Sequence, residues 1–397
     1  MIKVNDLKRY FESCNVNFLI GSGMSVPFLK TLCNVEKLLS ELEASDFGGN
    51  ELLVLKASIY ASFFNTVISR NQEKYRRNKE NDNAYEKVIN NYMRFVKVVH
   101  ELLKARAKTP GLTTKINLFT TNIDIMHEIA LEYTHVEWNC GFSGVMNPIF
   151  SEANFSKTVH STSRYYGRNY ELPVFNLYKL HGSLNWKYGD KGEHNVIELD
   201  KDLKQVAAVE ALLSAIEGGT LLVPVSGNED FEELKNLLPT TFDDAELNKV
   251  SAFVEEYEKL PIVNPSKRKF STTVLDMHFY ELLRIYANEL ERSNSVLFVH
   301  GFSFADEHLT NMTLRVASSN PTLQICIFAY DKCAKIQIQN NLGMSGVNLL
   351  YSNIRVLTYD DVFEAKEDEA EVKYLDFENV NRMYESVLNS VAKNEVK

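Results

Sequence analysis

The chain is predicted to be an α/β protein built on a parallel sheet with helices on its faces, and three observations predict it. Short apolar runs recur along the sequence, each ending in Gly, Ser, Thr or Asn. The runs are continuous rather than alternating, which is the pattern of strands buried on both faces. Longer segments of helical period lie between them, and that alternation is the mark of parallel crossovers.

In chain order the predicted strands are VNFLIGSG from 16, KINLFTTN from 115, FNLYKLHG from 175, TLLVPVSG from 220, SVLFVHGFS from 295, TLQICIFAYD from 322 and NIRVLTYDD from 353. The main helical patterns are VEKLLSELEA, NAYEKVINNYMRFVKVVHELLKARA and VLDMHFYELLRIYANELERS. Residues 34–113 exceed one crossover helix, since such connections are short, and are expected to form a helical insertion subdomain. Residues 139–172, rich in Gly, Ser, Asn and Tyr, read as a loop or lid. NWKYGDKGEHNVIELD reads as a hairpin. The tail 362–397 has an acidic start and then an amphipathic helix, read as a packing helix with a solvated face.

Composition narrows the function classes. The 397 residues hold 43 Lys and Arg against 53 Asp and Glu, a net charge of −10, which opposes indiscriminate binding to DNA or anionic membrane. A phosphate-bearing ligand therefore needs a local positive site. The five cysteines form no CxxC pair, the amino-terminal stretch lacks the apolar segment of a secretion signal, and no uncharged apolar run approaches the ~18 residues of a span. The expectation is a cytoplasmic protein with reduced thiols and no structural zinc.

Four strand ends carry polar or small residues suited to chemistry. Gly21, Ser22, Gly23 and Ser25 follow the first strand, where glycines let backbone approach a phosphate and a following helix would direct its amides at it. No acidic second strand and no GxxxxGK[ST] motif accompany them, so a conventional dehydrogenase and a Walker ATPase are disfavoured. Thr120, Thr121, Asn122 and Asp124 follow the second strand, where they serve either a ligand crevice or a helix cap. His181 lies in Lys179-Leu180-His181-Gly182-Ser183, and a histidine there serves either as a general base or as a structural residue. Gly301, Ser303 and Asp306 follow the strand ending at His300, with Asp306 suited to cap the next helix.

Taken in order, GSGMS, TTNID, LHGS and HGFS resemble the sirtuin pattern of GAGxS, TQNID, HG and GTS. PIVNPSKRKF, FYELLRIYANEL and VLFVHGFSFADEHL make the resemblance closer to the sirtuin-like proteins of bacterial antiphage defence. The resemblance spans roughly 15–360 and implies a Rossmann-like, NAD-binding catalytic domain over 1–361. It implies that Gly21, Ser22, Gly23 and Ser25 cradle the NAD pyrophosphate, that Asn122 holds the nicotinamide ribose and its attacking water, and that Asp124 meets the carboxamide. His181 would be the base toward a ribose hydroxyl, with Gly301 and Ser303 on the adenosine side. SVPFLK replaces the family's GIPDFR, keeping Pro27 and Phe28 but placing Lys30 where an arginine is usual. Residues 182–260 stand where deacylating members carry a zinc ribbon.

The resemblance implies an NAD+ glycohydrolase that acts in antiphage defence by depleting NAD. It also implies a large homo-oligomer gated by a HerA-type hexameric ATPase, through which alone nucleic acid is engaged. A protein deacylase, an ADP-ribosyltransferase and a non-catalytic NAD or ADP-ribose sensor are the alternatives. Arg164 and Arg168 are expected to supply positive charge near the cofactor.

Overall fold

The computed structural model describes residues 4–30, 35–45, 47–71, 83–106, 113–163, 167, 169–189, 196–219, 221–225, 229–264, 277–344, 352–363 and 373–395. Thirteen strands occur among them. They are β1 (Asn15–Ile20), β2 (Lys115–Thr120), β3 (Glu137–Asn139), β4 (Phe142–Ser143), β5 (Ile149–Phe150), β6 (His160–Thr162), β7 (Asn169–Glu171), β8 (Val174–Lys179), β9 (Trp186–Tyr188), β10 (Ile197–Leu199), β11 (Ser295–His300), β12 (Gln324–Phe328) and β13 (Ile354–Leu357). Seven form one parallel sheet in the order β13-β12-β11-β1-β2-β8-β3. From β1 the chain moves to β2 and out to β3 at the edge, returns to fill the place between them with β8, and then crosses to place β11 on the other side of β1. The architecture is Rossmann-like, with its order reversal between β1 and β11. Open α/β sheets bind ligands at the carboxyl ends of the strands flanking such a reversal.

The continuous apolar runs are explained by burial: every residue of β8 and β11 is buried. One expected strand does not form. Residues 221–225 of TLLVPVSG are not a strand, because Pro224 has no amide to donate and the neighbouring backbone bonds to serines instead. Val223 N–H donates to Ser58 Oγ, and Ser62 Oγ donates to the Val225 carbonyl. The seventh place in the sheet belongs to β3, too short for an apolar pattern. The predicted hairpin within 185–200 is present as antiparallel β9 and β10, while the 139–172 segment contains β4–β7 and a 3-10 turn at Glu152–Ser156.

Helices α1 (Val4–Ser13), α2 (Val35–Ala44), α3 (Gly49–Phe63, continuing through a π turn at Phe64–Ile68), α4 (Asn83–Arg106), α5 (Met126–Tyr133), α6 (Lys204–Ser214), α7 (Phe231–Asn236), α8 (Asp244–Tyr257), α9 (Met277–Glu291), α10 (Glu307–Ser319), α11 (Lys332–Asn341), α12 (Tyr359–Val362) and α13 (Phe377–Glu395) complete the described elements. One core joins the sheet to α1, α4, α5 and α13, and another joins its opposite face to α9, α10 and α11. A third is largely helical. It unites α2, α3, α6, α7 and α8, so the excursion after β1 and the excursion after His181 share one apolar interior. The stretch Gly49–Asn71 is long and apolar enough to cross a membrane by length and composition, and its apolar residues fill this third core. The long α4 instead lies on the sheet, with Val88, Tyr92, Phe95, Val99 and Leu103 buried against it.

The tail helix α13 is also part of the sheet's core. Val380, Met383, Tyr384 and Val387 are buried there, and Tyr384 Oη lies 2.8 Å from His300 Nε2 at the end of β11. Phe328 stacks on the His300 ring with centroids 4.7 Å apart. Burial pushes His300 down from 6.5 to about 3 and lowers His127 in the same way. The folded protein therefore keeps both rings neutral while the unfolded chain takes up protons near 6.5. Stability is expected to fall as pH drops below 6.5, by about 1.4 kcal/mol per pH unit for each histidine until its folded pKa is reached. Urea unfolding between pH 7.5 and 5 checks this, and a pH-independent midpoint would contradict it.

Candidate functional site

The turns that leave β1 and β11 lie against each other. The two strands are paired to their last residues, Ile20 with His300, and the pairing continues as Gly21 N–H donates to the His300 carbonyl at 2.9 Å and Gly23 N–H to the Gly301 carbonyl at 3.0 Å. A Cβ on Gly21 would stand 2.4 Å from the Gly301 oxygen, and one on Gly23 would stand 2.9 Å from Gly301 Cα. Gly301 has φ +62°, a left-handed conformation, and a Cβ there would meet Met24 N at 2.6 Å. These glycines permit backbone-on-backbone packing at the switch point, with two of their amides already committed.

The helix expected directly after the glycines is absent. Ser22–Ser25 form a single 3-10 turn, and Val26 is extended with φ −74° and ψ 139°. Pro27 accounts for this, because the residue before a proline is steered away from helical backbone. The turn buries Ser25, while Ser22 is half-buried and Gly23 exposed. Lys30 is exposed.

Ser25 joins the first motif to the second. Its hydroxyl donates to Asp124 Oδ2 at 2.9 Å and lies 3.1 Å from Tyr92 Oη on α4. Asn122 Nδ2 reaches the Gly21 carbonyl at 3.3 Å and Ser25 Oγ at 3.4 Å. Asp124 Oδ1 accepts the Met126 amide at 3.0 Å alongside the Ser25 contact, while the N-cap position itself falls to Ile125, which has no side-chain cap. Asn122 is 5% exposed, and its Oδ1 has no hydrogen-bond partner among the described residues. That orphan acceptor is the unmet valence of the site, since buried polar atoms are normally paired.

Beneath this group lies a buried charge pair. Lys179, at the end of β8 and 1% exposed, donates to the Asp124 carbonyl and lies 3.3 Å from Glu128 Oε1. Glu128 also accepts from Ser183 Oγ at 3.2 Å. Burial raises the Glu128 carboxyl above its ordinary value, and Lys179 opposes the shift. Lys179 thus fixes the backbone that carries Asp124.

His181 stands on the turn after β8 with Nε2 3.2 Å from Asp306 Oδ2. Asp306 follows the Gly301–Ser303 turn and caps α10, its Oδ1 accepting the amides of His308 and Leu309. One carboxylate thus starts a helix and orients an imidazole. Gly182 has φ +77°, and its Cβ position is filled by the Pro261 carbonyl, which locks the His181 turn onto the segment that follows α8. Ser303 is exposed, with its carbonyl accepting from Asn341.

The structure therefore gathers Gly21, Gly23, Ser25, Asn122, Asp124 and Gly301 into one cluster, and ties His181 to it through Asp306. Arg164 and Arg168 lie outside the described residues. The cap expected at Asp306 is present and its contact with His181 is new, whereas motif reading missed Tyr92, Lys179 and Glu128 as members of the site. Lys179 alone carried a signal, as a charge inside an apolar strand. No family model and no curated protein matches the chain.

Two substitutions test this construction. Gly301→Ala is expected to cost at least about 1–2 kcal/mol from left-handed backbone alone, read as a lowered denaturant midpoint. Lys179→Met strands Glu128 and is expected to cost about 3–5 kcal/mol, with Lys179→Met/Glu128→Leu recovering much of the loss. Equal stability of the single and double variants would show that the pair is not coupled.

Proposed function

We propose that the chain is an NAD+ glycohydrolase, cleaving NAD+ and water to nicotinamide, ADP-ribose and a proton. The observation that carries this reading is Asn122, a buried carboxamide with an unpartnered Oδ1 at the carboxyl edge of the switch point, flanked by the glycine turns on one side and by His181 beyond. Asn122 Oδ1 would accept from the nicotinamide ribose or from the attacking water. His181, held by Asp306, would take the proton from a ribose hydroxyl as positive charge develops at the anomeric carbon; the alkoxide would recover a proton from the attacking water, and His181 would release its own to solvent. The electron pair of the C–N bond leaves with nicotinamide, and the water oxygen forms the new C–O bond. Because the leaving group is neutral, positioning and electrostatics supply most of what the protein must contribute.

The ordered set GSGMS, TTNID, LHGS and HGFS supports NAD as the substrate. Asp124 is the residue for the carboxamide, while Ser22 and Ser303, at the surface of the two turns, are those for phosphate and ribose. The same reading extends to defence by NAD depletion, in a homo-oligomer gated by a HerA-type hexameric ATPase.

Purified protein incubated with NAD+, alone and with such an ATPase, is expected to release nicotinamide without any acyl-lysine acceptor. Asn122→Ala and His181→Ala are each expected to lower the rate by about 100-fold or more. Wild-type rates in both variants would remove these residues from the mechanism. Nucleotide binding by calorimetry with no nicotinamide formed would replace the enzyme with a sensor.

A further inference from the structure

An asparagine ladder crosses the sheet at its middle register. Asn17 pairs with Asn117, Asn117 with Asn176 and Asn176 with Asn139, on β1, β2, β8 and β3. Residues in register on a parallel sheet share a face, so four amides line up in a sheet that is otherwise mostly apolar. They form a directed chain: Asn176 Nδ2 donates to Asn117 Oδ1 at 3.2 Å, Asn117 Nδ2 to Asn17 Oδ1 at 2.8 Å, and Asn17 Nδ2 to the Val296 carbonyl at 3.3 Å. Asn139 leaves the chain, donating to the Asn154 carbonyl instead. Asn176 is therefore the open end. It is 2% exposed, and its Oδ1 has no hydrogen-bond partner among the described residues.

That end borders a cavity of about 140 Å³, room for roughly four or five waters at their liquid volume. Asn117, Asn176 and Tyr178 line its buried side, with the Phe155 ring 4.1 Å from the Tyr178 ring. Glu289 and Arg292, paired at 3.0 Å, also line it, and Glu289 Oε2 accepts a second hydrogen bond from Asn117 Nδ2 at 3.1 Å. The cavity includes Asn15 and Lys115, the first residues of β1 and β2, whereas the candidate catalytic residues follow the last residues of those strands. At ~3.3 Å per residue the two ends lie about 20 Å apart.

We propose that this cavity is a binding site for a small neutral primary carboxamide. The open valence at its floor is an acceptor, so the occupant must bring a donor. The cations at the wall disfavour an amine: Lys115 Nζ is bonded to the carbonyls of Phe155 and Ser156, and Arg292 to Glu289. A carboxamide NH2 donates to Asn176 Oδ1 as each amide of the ladder donates to the next, extending the chain by one member. Its carbonyl accepts from an Arg292 N–H not given to Glu289, the Tyr178 hydroxyl being donated to Asn117 Oδ1, and a planar substituent lies along the Phe155 and Tyr178 rings. The assignment does not depend on NAD cleavage.

Calorimetric titration with benzamide and with benzoate, which presents oxygen where benzamide presents NH2, tests it. Benzamide is expected to bind at least tenfold more tightly than benzoate to the wild-type protein, to lose at least tenfold in Asn176→Leu, and to keep its affinity in Asn122→Ala. Loss of affinity in Asn122→Ala but not in Asn176→Leu would move the amide to the catalytic edge and overturn the proposal. So would equal binding of benzoate, or a cavity that takes up water only. The benzamide-to-benzoate ratio is read on wild-type protein, so the result stands even if Asn176→Leu does not fold.

Discussion

The candidate site depends on one contact, the backbone-on-backbone packing of the turn after β1 on the turn after β11 at Gly21, Gly23 and Gly301. The strands arrive in register, and the turns continue their pairing through Gly21, His300, Gly23 and Gly301. This holds the Gly21 carbonyl where Asn122 reaches it and sets Ser25 against Asp124. A larger residue at any of the three glycines would have to displace backbone, which cannot turn aside as a side chain does. Neutral atoms thus fix the geometry of the polar ones.

The strands were readable because burial on both faces leaves a run of apolar residues. The same rule misled at 221–225, where an apolar run lies across α3 and finds its hydrogen bonds on serines. It was silent at β3, whose three residues are too few to show a pattern. The glycine turn was located correctly, but the helix after it was not, because Pro27 outweighs the local preference. Asn122, Asp124 and His181 were found as polar residues at strand ends. Tyr92 could not be found that way: its place in the long α4 marks it as core, and only the docking of α4 on the sheet brings its hydroxyl to Ser25.

The TTNID segment sits between two apolar interiors. Ile123 and Ile125 enter the helical core together with Leu184, while Asn122 and Asp124 turn toward Ser25. Alternation over four residues thus sends the apolar side chains one way and the polar ones the other. The excursions after β1 and after His181 meet in that helical core, so two distant insertions hold the segment from the same side. Lys179 and Glu128 hold it from below at the cost of burying charge, which makes the pair a determinant of geometry more than of stability.

The contact between Tyr384 and His300 has a consequence for synthesis of the chain. Helix α13 packs on α1, with Lys8 bonded to the Ser390 carbonyl, and its tyrosine backs the strand that delivers Gly301. Both ends of the described chain therefore meet behind the same turn. A nascent polypeptide with every strand already made still lacks that support until the ribosome has added residues 377–395, so the carboxyl edge of the sheet matures last.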